Sequence, residues 1–327
     1  MDNDDVVLIP VFDDWAALAV LLPRIDETLA ADSRTASVIL VDDCSLQSPN
    51  GIVGSHPLRA IKSVDILSLT RNIGHQRALA IGLSYIATQR PCRAVIVLDA
   101  DGEDLPSDIP RLLAAFEAND ASRVVFAQRT RRSEGVVFTV FYRLYRLAHR
   151  LMTGIRVEVG NFSVVPYSSL RKLAVVSEMW NHYAAAVVHA KIPTVLVPTV
   201  RGERLAGRSR MDFVSLVGHG LSAMSVFSDK IAVRMLAVTG ALLTVVVIAV
   251  LAMVGVRVFT DLNVPGWTAV ALAFVGLLLV QAGLLAVVFA FMTQGGRARS
   301  SFIPAVEYKP FVDSFYRIWP APQSARE

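Results

Sequence analysis

The sequence predicts an α/β chain: a mostly parallel sheet covered by helices on both faces, followed by a two-helix transmembrane hairpin. Three observations carry this. Short apolar runs alternate with helix-spaced segments over the first 200 residues. Two uncharged apolar runs follow, each as long as the roughly 20 residues that cross a bilayer. The composition, 54% hydrophobic and 18% charged, is poorer in charge than the ~25% of soluble domains.

Val6 to Val11 is an apolar strand, and Trp15 to Leu29 has helical spacing. Val38 to Val41 is a strand that ends in Asp42 and Asp43. Ile66 to Leu69 is a third, followed by "TRNIGHQ" and a helix from His75 to Thr88. Ala94 to Leu98 runs straight into "DADGED". Asp108 to Glu117 is a helix, with Asp108 as N-cap and Pro110 tolerated in the first turn. Val124 to Ala127 is the fifth strand. In such sheets ligands bind at the carboxyl ends of the strands, where Asp42, Asp43, Asp99 and Asp101 fall.

Beyond the fifth strand the chain turns basic and aromatic. Arg143, Arg146 and Arg150 share one helix face; Phe138, Phe141, Tyr145 and Ala148 mark another. The expected organisation is an α/β domain over 1–210 and amphipathic juxtamembrane helices over 211–234. Transmembrane helices at 235–256 and 267–292 and a cytoplasmic tail over 293–327 complete it. Phe213 to Phe227 is amphipathic and reads as interfacial or, alternatively, as an ordinary surface helix. Lys230 and Arg234 flank the hairpin on one side, Arg297 and Arg299 on the other. The positive-inside rule puts both flanks in the cytoplasm, at a membrane of the bacterial inner-membrane kind. The competing reading of the two runs is a pair of buried core helices. "MDNDDVVLIP" is acidic and lacks the basic n-region of a signal peptide. Cys44 and Cys92 have no metal-ligand spacing, which fits a reduced compartment. A net charge of +4 says little by itself. The basic residues cluster beside the membrane elements, which argues against a nucleic-acid partner. No G-x-G-x-x-G follows the first strand, which excludes a dinucleotide-binding oxidoreductase.

Clustered carboxylates repel unless a cation lies between them. Asp99 and Asp101, converging if the chain turns at Gly102, suit a hard divalent cation, Mg²⁺ or Mn²⁺, with Glu103 as a further ligand. Such an ion takes few carboxylates and keeps sites for substrate phosphate, so it can stabilise a departing diphosphate. The plainer alternative is acids that cap the next helix or lie solvated in a loop.

Seven stretches stand in one order: "IPVFDD" (9–14), "ILVDDCS" (39–45), "LTRNIGHQRALAIGL" (69–83), "VLDADGEDLPSDIPRLL" (97–113), "FYRLYR" (141–146), "VGNFSVV" (159–165) and "RLAGRSR" (204–210). In these the chain resembles a family 2 glycosyltransferase of GT-A fold, a Rossmann-like, mostly parallel sheet. The likeness is greatest to the polyisoprenyl-phosphate group, such as dolichyl-phosphate mannose synthase and bactoprenol glucosyl transferase. It covers about the first 235 residues, and the two apolar spans agree with the membrane-anchored branch. The resemblance implies a nucleotide diphosphate sugar donor, a polyprenyl phosphate acceptor, inversion at the anomeric carbon and Mg²⁺ or Mn²⁺. Pro10 and Asp13 match the start of the nucleotide pocket, and Asp43 the acid that reads base or ribose. Asn72, Gly74, His75 and Gln76 match the donor loop. Asp99 and Asp101 match the D-x-D, with Asp101 ahead of Asp99 as direct metal ligand. Arg204, Ser209 and Arg210 match a phosphate-contacting segment in which Arg210 replaces a lysine, keeping charge but not geometry. Arg143, Arg146 and Ser209 are expected at the acceptor phosphate.

Asn161 departs from the family's "GDF", whose Asp serves as base or sugar-positioning group. A hydroxyl acceptor would lose the about 10²–10⁴-fold help of a general base. A lipid phosphate, with a second pKa of about 6, is already largely dianionic at pH 7 and needs only positioning and cations. Asn161 therefore favours a phosphate acceptor, or inactivity, over a hydroxyl acceptor. The alternatives are a transferase for another lipid or glycan and a non-catalytic nucleotide-sugar-binding membrane protein. A processive synthase is disfavoured by two spans only and no Q-x-x-R-W. Sugar, base and oligomeric state, including a homo-oligomer, are left open by the sequence.

Overall fold

A computed structural model describes residues 4–49, 57–129, 147, 149–154, 159–207, 213–260, 266–298 and 302–320. The chain divides into two units. The first comprises Met1–Val136, Val157–Val226 and Phe302–Glu327; the second comprises Val137–Arg156 and Phe227–Ser301.

The first unit is built on an eight-stranded sheet. Its elements in chain order are β1 (Asp5–Val11), α1 (Trp15–Ala31), β2 (Ala36–Asp42), β3 (Ile61–Leu69), α2 (His75–Gln89), β4 (Ala94–Val97), α3 (Ile109–Glu117) and β5 (Val124–Arg129). Then come β6 (Ser163–Pro166), α4 (Tyr167–Leu173), α5 (Tyr183–His189), β7 (Thr194–Thr199) and α6 (Phe213–Ser225). The strand order is β7-β5-β6-β4-β1-β2-β3-β8, with β8 (Val312–Trp319) arriving from the far end of the chain. Strands β4, β1, β2 and β3 run parallel, as do β5 and β7. Only β6 and β8 are reversed.

Residues 6–11 of β1 and the whole of β4 are apolar because both faces of the sheet are covered there. In β1, Val6 and Leu8 join the core beneath α2, and Val7 and Ile9 join the core beneath α1 and α3. Helix α2 lies so close to the sheet that a Cβ on Gly82 would come within 2.6 Å of Val41 and 2.7 Å of Leu8. The five expected strands are present, four of them longer than expected. Three others, β8 among them, were not legible: Ser163–Pro166 is four residues long, and Thr194–Thr199 contains Pro198, acceptable because β7 is an edge strand. Asp108 sits at the N-cap of α3, but its side chain makes no cap bond there; it pairs with Arg111 at 2.7 Å.

The segment expected as a tail over 293–327 supplies β8, so its residues 312–319 belong to the sheet. The attachment is polar as well as apolar. Asp65 on β3 is fully buried between Arg90 (3.0 Å) and Arg317 of β8 (2.8 Å). Residues leading into β8, which include the short helix α9 (Pro304–Glu307), are also tied in. The N–H of Thr70 donates to Phe311 O (3.0 Å), and Trp180 lies against Phe302 and Phe311 with ring centroids 4.2 and 5.1 Å away.

The second unit holds two long apolar helices, α7 (Ser228–Phe259) and α8 (Gly266–Ala298). Their most apolar 18-residue windows are 0% and 6% buried, unlike a core helix, which is mostly buried. The helices approach closely at small residues. A Cβ on Gly276 would meet Val246 at 3.6 Å, and one on Gly283 would meet Thr239 at 3.4 Å. Arg234 ties α7 to the helical turn at 149–153 by donating to Leu151 O at 2.8 Å.

Candidate active site at the carboxyl edge of the sheet

The turn after β4 is organised by its own acids. Asp104, 3% exposed, accepts the N–H of Asp99 at 3.1 Å, and Asp101 Oδ1 accepts the N–H of Glu103 at 3.0 Å. Gly102 has φ +80, and a Cβ there would lie 2.3 Å from Leu205, so both conformation and space require glycine. Residues 201–205 run alongside: Gly202 donates to Glu103 O (2.8 Å) and Leu205 to Asp101 O (2.9 Å). This places the Arg204 guanidinium against Asp101 Oδ2 (3.3 Å) and Asp14, while its Nε donates to Ala206 O (2.9 Å). Glu103 is engaged by Arg201, whose Nε lies 2.8 Å from Oε2. Of the three acids expected around a cation, Glu103 is thus bound to Arg201, Asp101 lies beside Arg204, and Asp99 lies beside His75.

Burial raises the pKa of Asp101, and the charges of Asp99 and Glu103 add to it, against the pull of Glu103 N–H and Arg204. A carboxylate crowded in this way favours a cation beside it. Among the described residues no three His, Cys, Asp or Glu side chains form a metal-holding group. Two carboxylates still fit Mg²⁺ or Mn²⁺, which bind through one or two carboxylates plus substrate phosphates.

On the other side of the edge, Asp13 and Asp43 shape loops. Asp13, at φ +50, donates its N–H to Ser45 Oγ (2.9 Å) and accepts from Leu46 and Gln47 N–H (2.7 and 2.9 Å). Asp43 is 3% exposed and accepts from Ile73 and Gly74 N–H at 2.8 and 2.9 Å. Burial raises its pKa against those two bonds. The donor loop, with exposed Asn72, is therefore anchored on the end of β2. Pro10 is buried in β1 opposite Val41.

His75, Gln76 and Asn161 meet at Asp99. His75 Nε2 lies 3.2 Å from Asp99 Oδ1. The Asn161 amide nitrogen lies 2.8 Å from His75 Nε2 and 3.3 Å from Asp99 Oδ1, and Asn161 Oδ1 accepts from Gln76 Nε2 at 3.1 Å. Burial lowers the His75 pKa, but the charge and hydrogen bond of Asp99, with Asp101 and Asp104 behind it, outweigh that and raise it overall.

Four expected site residues, Arg143, Arg146, Ser209 and Arg210, lie outside the described residues, as does Arg208. Sequence reasoning missed Asp14, Asp104, Arg201 and the Tyr183 backbone as organisers of the site. Of these, only Asp104 and Asp14 carried a signal, as further acids within the strand-end clusters. His182 caps α5 and lies 3.3 Å from His219, a structural placement.

The chain matches the family described as Glycosyl transferase family 2 over residues 6–174. It is 24% identical over 293 residues to an uncharacterized glycosyltransferase, YkcC, of Bacillus subtilis (strain 168), covering 85% of this chain and 86% of that one. It is 25% identical over 217 residues to the undecaprenyl-phosphate 4-deoxy-4-formamido-L-arabinose transferase of Klebsiella pneumoniae subsp. pneumoniae, covering 64% of this chain and 63% of that one. Among solved structures it is similar to mannosyl-3-phosphoglycerate synthase from Rubrobacter xylanophilus, with 15% identity, a TM-score of 0.48, and coverage of 68% and 72%.

Proposed function

The chain belongs to glycosyl transferase family 2, and from that premise we propose that it moves a hexose from a nucleotide diphosphate sugar onto a polyprenyl phosphate at a membrane surface, with inversion. The observation that carries the reading is the pairing of strand-end acids with an amide at 161. Asp99 and Asp101 lie at the edge, Asp101 beside Arg204, and Asn161, whose amide nitrogen is 3.3 Å from Asp99 Oδ1, cannot accept a proton. An acceptor that arrives as an anion needs no base. A lipid phosphate is such an acceptor, and the named Klebsiella relative uses undecaprenyl phosphate.

In this reading Asp101 and Asp99 would hold Mg²⁺ or Mn²⁺. When bound, the ion would supply Lewis-acid stabilisation of the departing nucleoside diphosphate. Arg204 adds positive charge next to Asp101 and reaches Asp14 at the end of β1, so it braces the acid loop against the nucleotide side of the edge. The loop anchored by Asp43 would line the nucleotide pocket. Asn161 and His75 hold Asp99 in place by hydrogen bonding. Arg210, Arg143, Arg146 and Ser209 are proposed to meet the acceptor phosphate and relieve its repulsion from the donor diphosphate.

Connectivity supports the membrane reading. Residues on both sides of the helix pair, 213–226 and 302–320, belong to the sheet-bearing unit. If α7 and α8 both cross the bilayer, the sheet keeps both outer ends on one side. Lys230 and Arg234 before the pair, and Arg297 and Arg299 after it, support the cytoplasm as that side.

The test is transfer by the purified protein from a panel of nucleotide sugars to undecaprenyl phosphate, with and without chelator. One sugar added per lipid, lost with chelator, supports the proposal. Donor binding with no transfer to any acceptor supports the non-catalytic reading that Asn161 also allows.

A further inference from the structure

Helix α4 ends in two exposed cations, Arg171 and Lys172, and Val175 follows one helical turn later, 59% exposed. The segment that leads into β8 lies against this turn. The N–H of Ala305 donates to Ala174 O at 2.8 Å, and Ala305 packs on the core beneath α2. With Pro304 and Ala305 turned inward, Ile303 and Val306 are left exposed, Val306 at 65%. Lys309 is exposed one turn beyond Val306. Glu307 is turned back on its own helix, where it accepts the N–H of Ile303 at 3.1 Å. Three exposed aliphatic side chains thus stand among three exposed cations, on the α2 face of the sheet. Apolar groups gathered at a surface and rimmed by charge mark a contact surface.

The chain itself indicates what covers it. Only residues 299–301 separate α8 from Phe302, a reach of at most about 14 Å. A segment that leaves a membrane span within so few residues begins at the bilayer surface. An anionic bilayer also matches both halves of the patch: aliphatic side chains enter the interface, and the cations are drawn to the surface charge. We propose that Val175, Ile303 and Val306, with Arg171, Lys172 and Lys309, dock the sheet-bearing unit on a bilayer surface rich in anionic phospholipid headgroups. The inference rests on the reading of α7 and α8 as membrane spans and goes beyond it, since it adds a contact that the spans do not supply.

The test places an environment-sensitive fluorophore at one position at a time in the full chain, reconstituted in nanodiscs of phosphatidylcholine and phosphatidylglycerol. Cys44→Ser removes the exposed native thiol; Cys92 is buried. Val306→Cys and Val175→Cys report the patch. Val20→Cys is the control, exposed on α1 and so on the opposite face of the sheet. Leu278→Cys within α8 reports the span. The expected result is quenching by headgroup-spin-labelled lipid at 306 and 175 at least about fivefold stronger than at 20, with acyl-chain quenching at 278. Each cation near an anionic surface is worth about fivefold in the docked-to-free ratio. Combining Arg171→Gln, Lys172→Gln and Lys309→Gln should therefore lower that ratio about 10²-fold, and nanodiscs of phosphatidylcholine alone should abolish the difference between 306 and 20. Quenching at 278 with no excess at 306 or 175 overturns the docking and leaves the spans standing. No quenching at 278 refutes the spans, and the docking falls with them. Shielding of 306 in detergent alone that grows with protein concentration would assign the patch to a second copy of the chain and overturn the lipid proposal.

Discussion

Replacing Arg317 with methionine removes one of two cations from a carboxylate with no solvent around it. Asp65 is 0% exposed. Its Oδ1 holds Arg317 Nε at 2.8 Å, and its Oδ2 holds Arg90 Nη1 at 3.0 Å and Ser63 Oγ at 3.1 Å. Breaking a buried ion pair by removing one partner costs about 3–5 kcal/mol when the remaining charge is uncompensated. Here two features reduce the loss. Arg90 remains, and the Arg317 side chain is 46% exposed, so water can reach the vacated place. Methionine also keeps the apolar stem. What is lost is close to one hydrogen bond to a charged group, about 2 kcal/mol. Because β8 is an edge strand, the loss should appear as local opening. Hydrogen exchange of the 312–319 amides should quicken about 30-fold, the equivalent of 2 kcal/mol, with β1 and β2 little changed. Exchange in β8 within a factor of two of the wild type would refute the claim that this buried triad fastens the C-terminal strand to the sheet.

Three further predictions concern the acids and one strained residue. Because burial and Asp99 raise the Asp101 pKa, protons compete with a cation at higher pH than for a free carboxyl near ~3.9. Mn²⁺ affinity by calorimetry should therefore begin to fall at a pH above the free-carboxyl range, and a loss confined to pH below about 3.9 contradicts it. Glu117, held by Arg34 and Arg93, has its pKa lowered to about 2, so its stabilisation is present above its unfolded value of about 4.3 and is lost as pH falls through about 2. With 41% of that side chain exposed, Glu117→Gln should cost about 1 kcal/mol at pH 7, seen in chemical unfolding, and only a small part of that at pH 2. Cys44 is exposed and has φ +59, so Cys44→Gly should stabilise the protein by about 1 kcal/mol in the same assay; a loss would refute the strain argument.

The parallel half of the sheet was legible because its strands are buried on both faces and end in acids. Val38–Val41 into Asp42 and Ala94–Leu98 into Asp99 announce both strand and edge. The reversed strands were not legible. Ser163–Pro166 is too short to show a period, and β8 follows two long apolar helices, so nothing local says that it returns to β3. The site divides in the same way. The D-x-D and Asn161 stand out as residue types, and the structure adds the contact between Asn161 and Asp99. What sequence cannot supply is the third dimension of the acids. Asp13 and Asp43 hold loop N–H groups, Glu103 holds Arg201, and Asp104 orients Asp99; all are carboxylates of the same clusters with different partners.

The most direct test of the account is label transfer from a nucleotide sugar into a lipid-extractable product with undecaprenyl phosphate as acceptor, comparing wild type, wild type with chelator, and Asp101→Ala. The account predicts one sugar per lipid in the wild type and loss of at least about 10²-fold in both other arms, as expected when a preorganised electrostatic group is removed. Transfer that survives both the chelator and Asp101→Ala would contradict it.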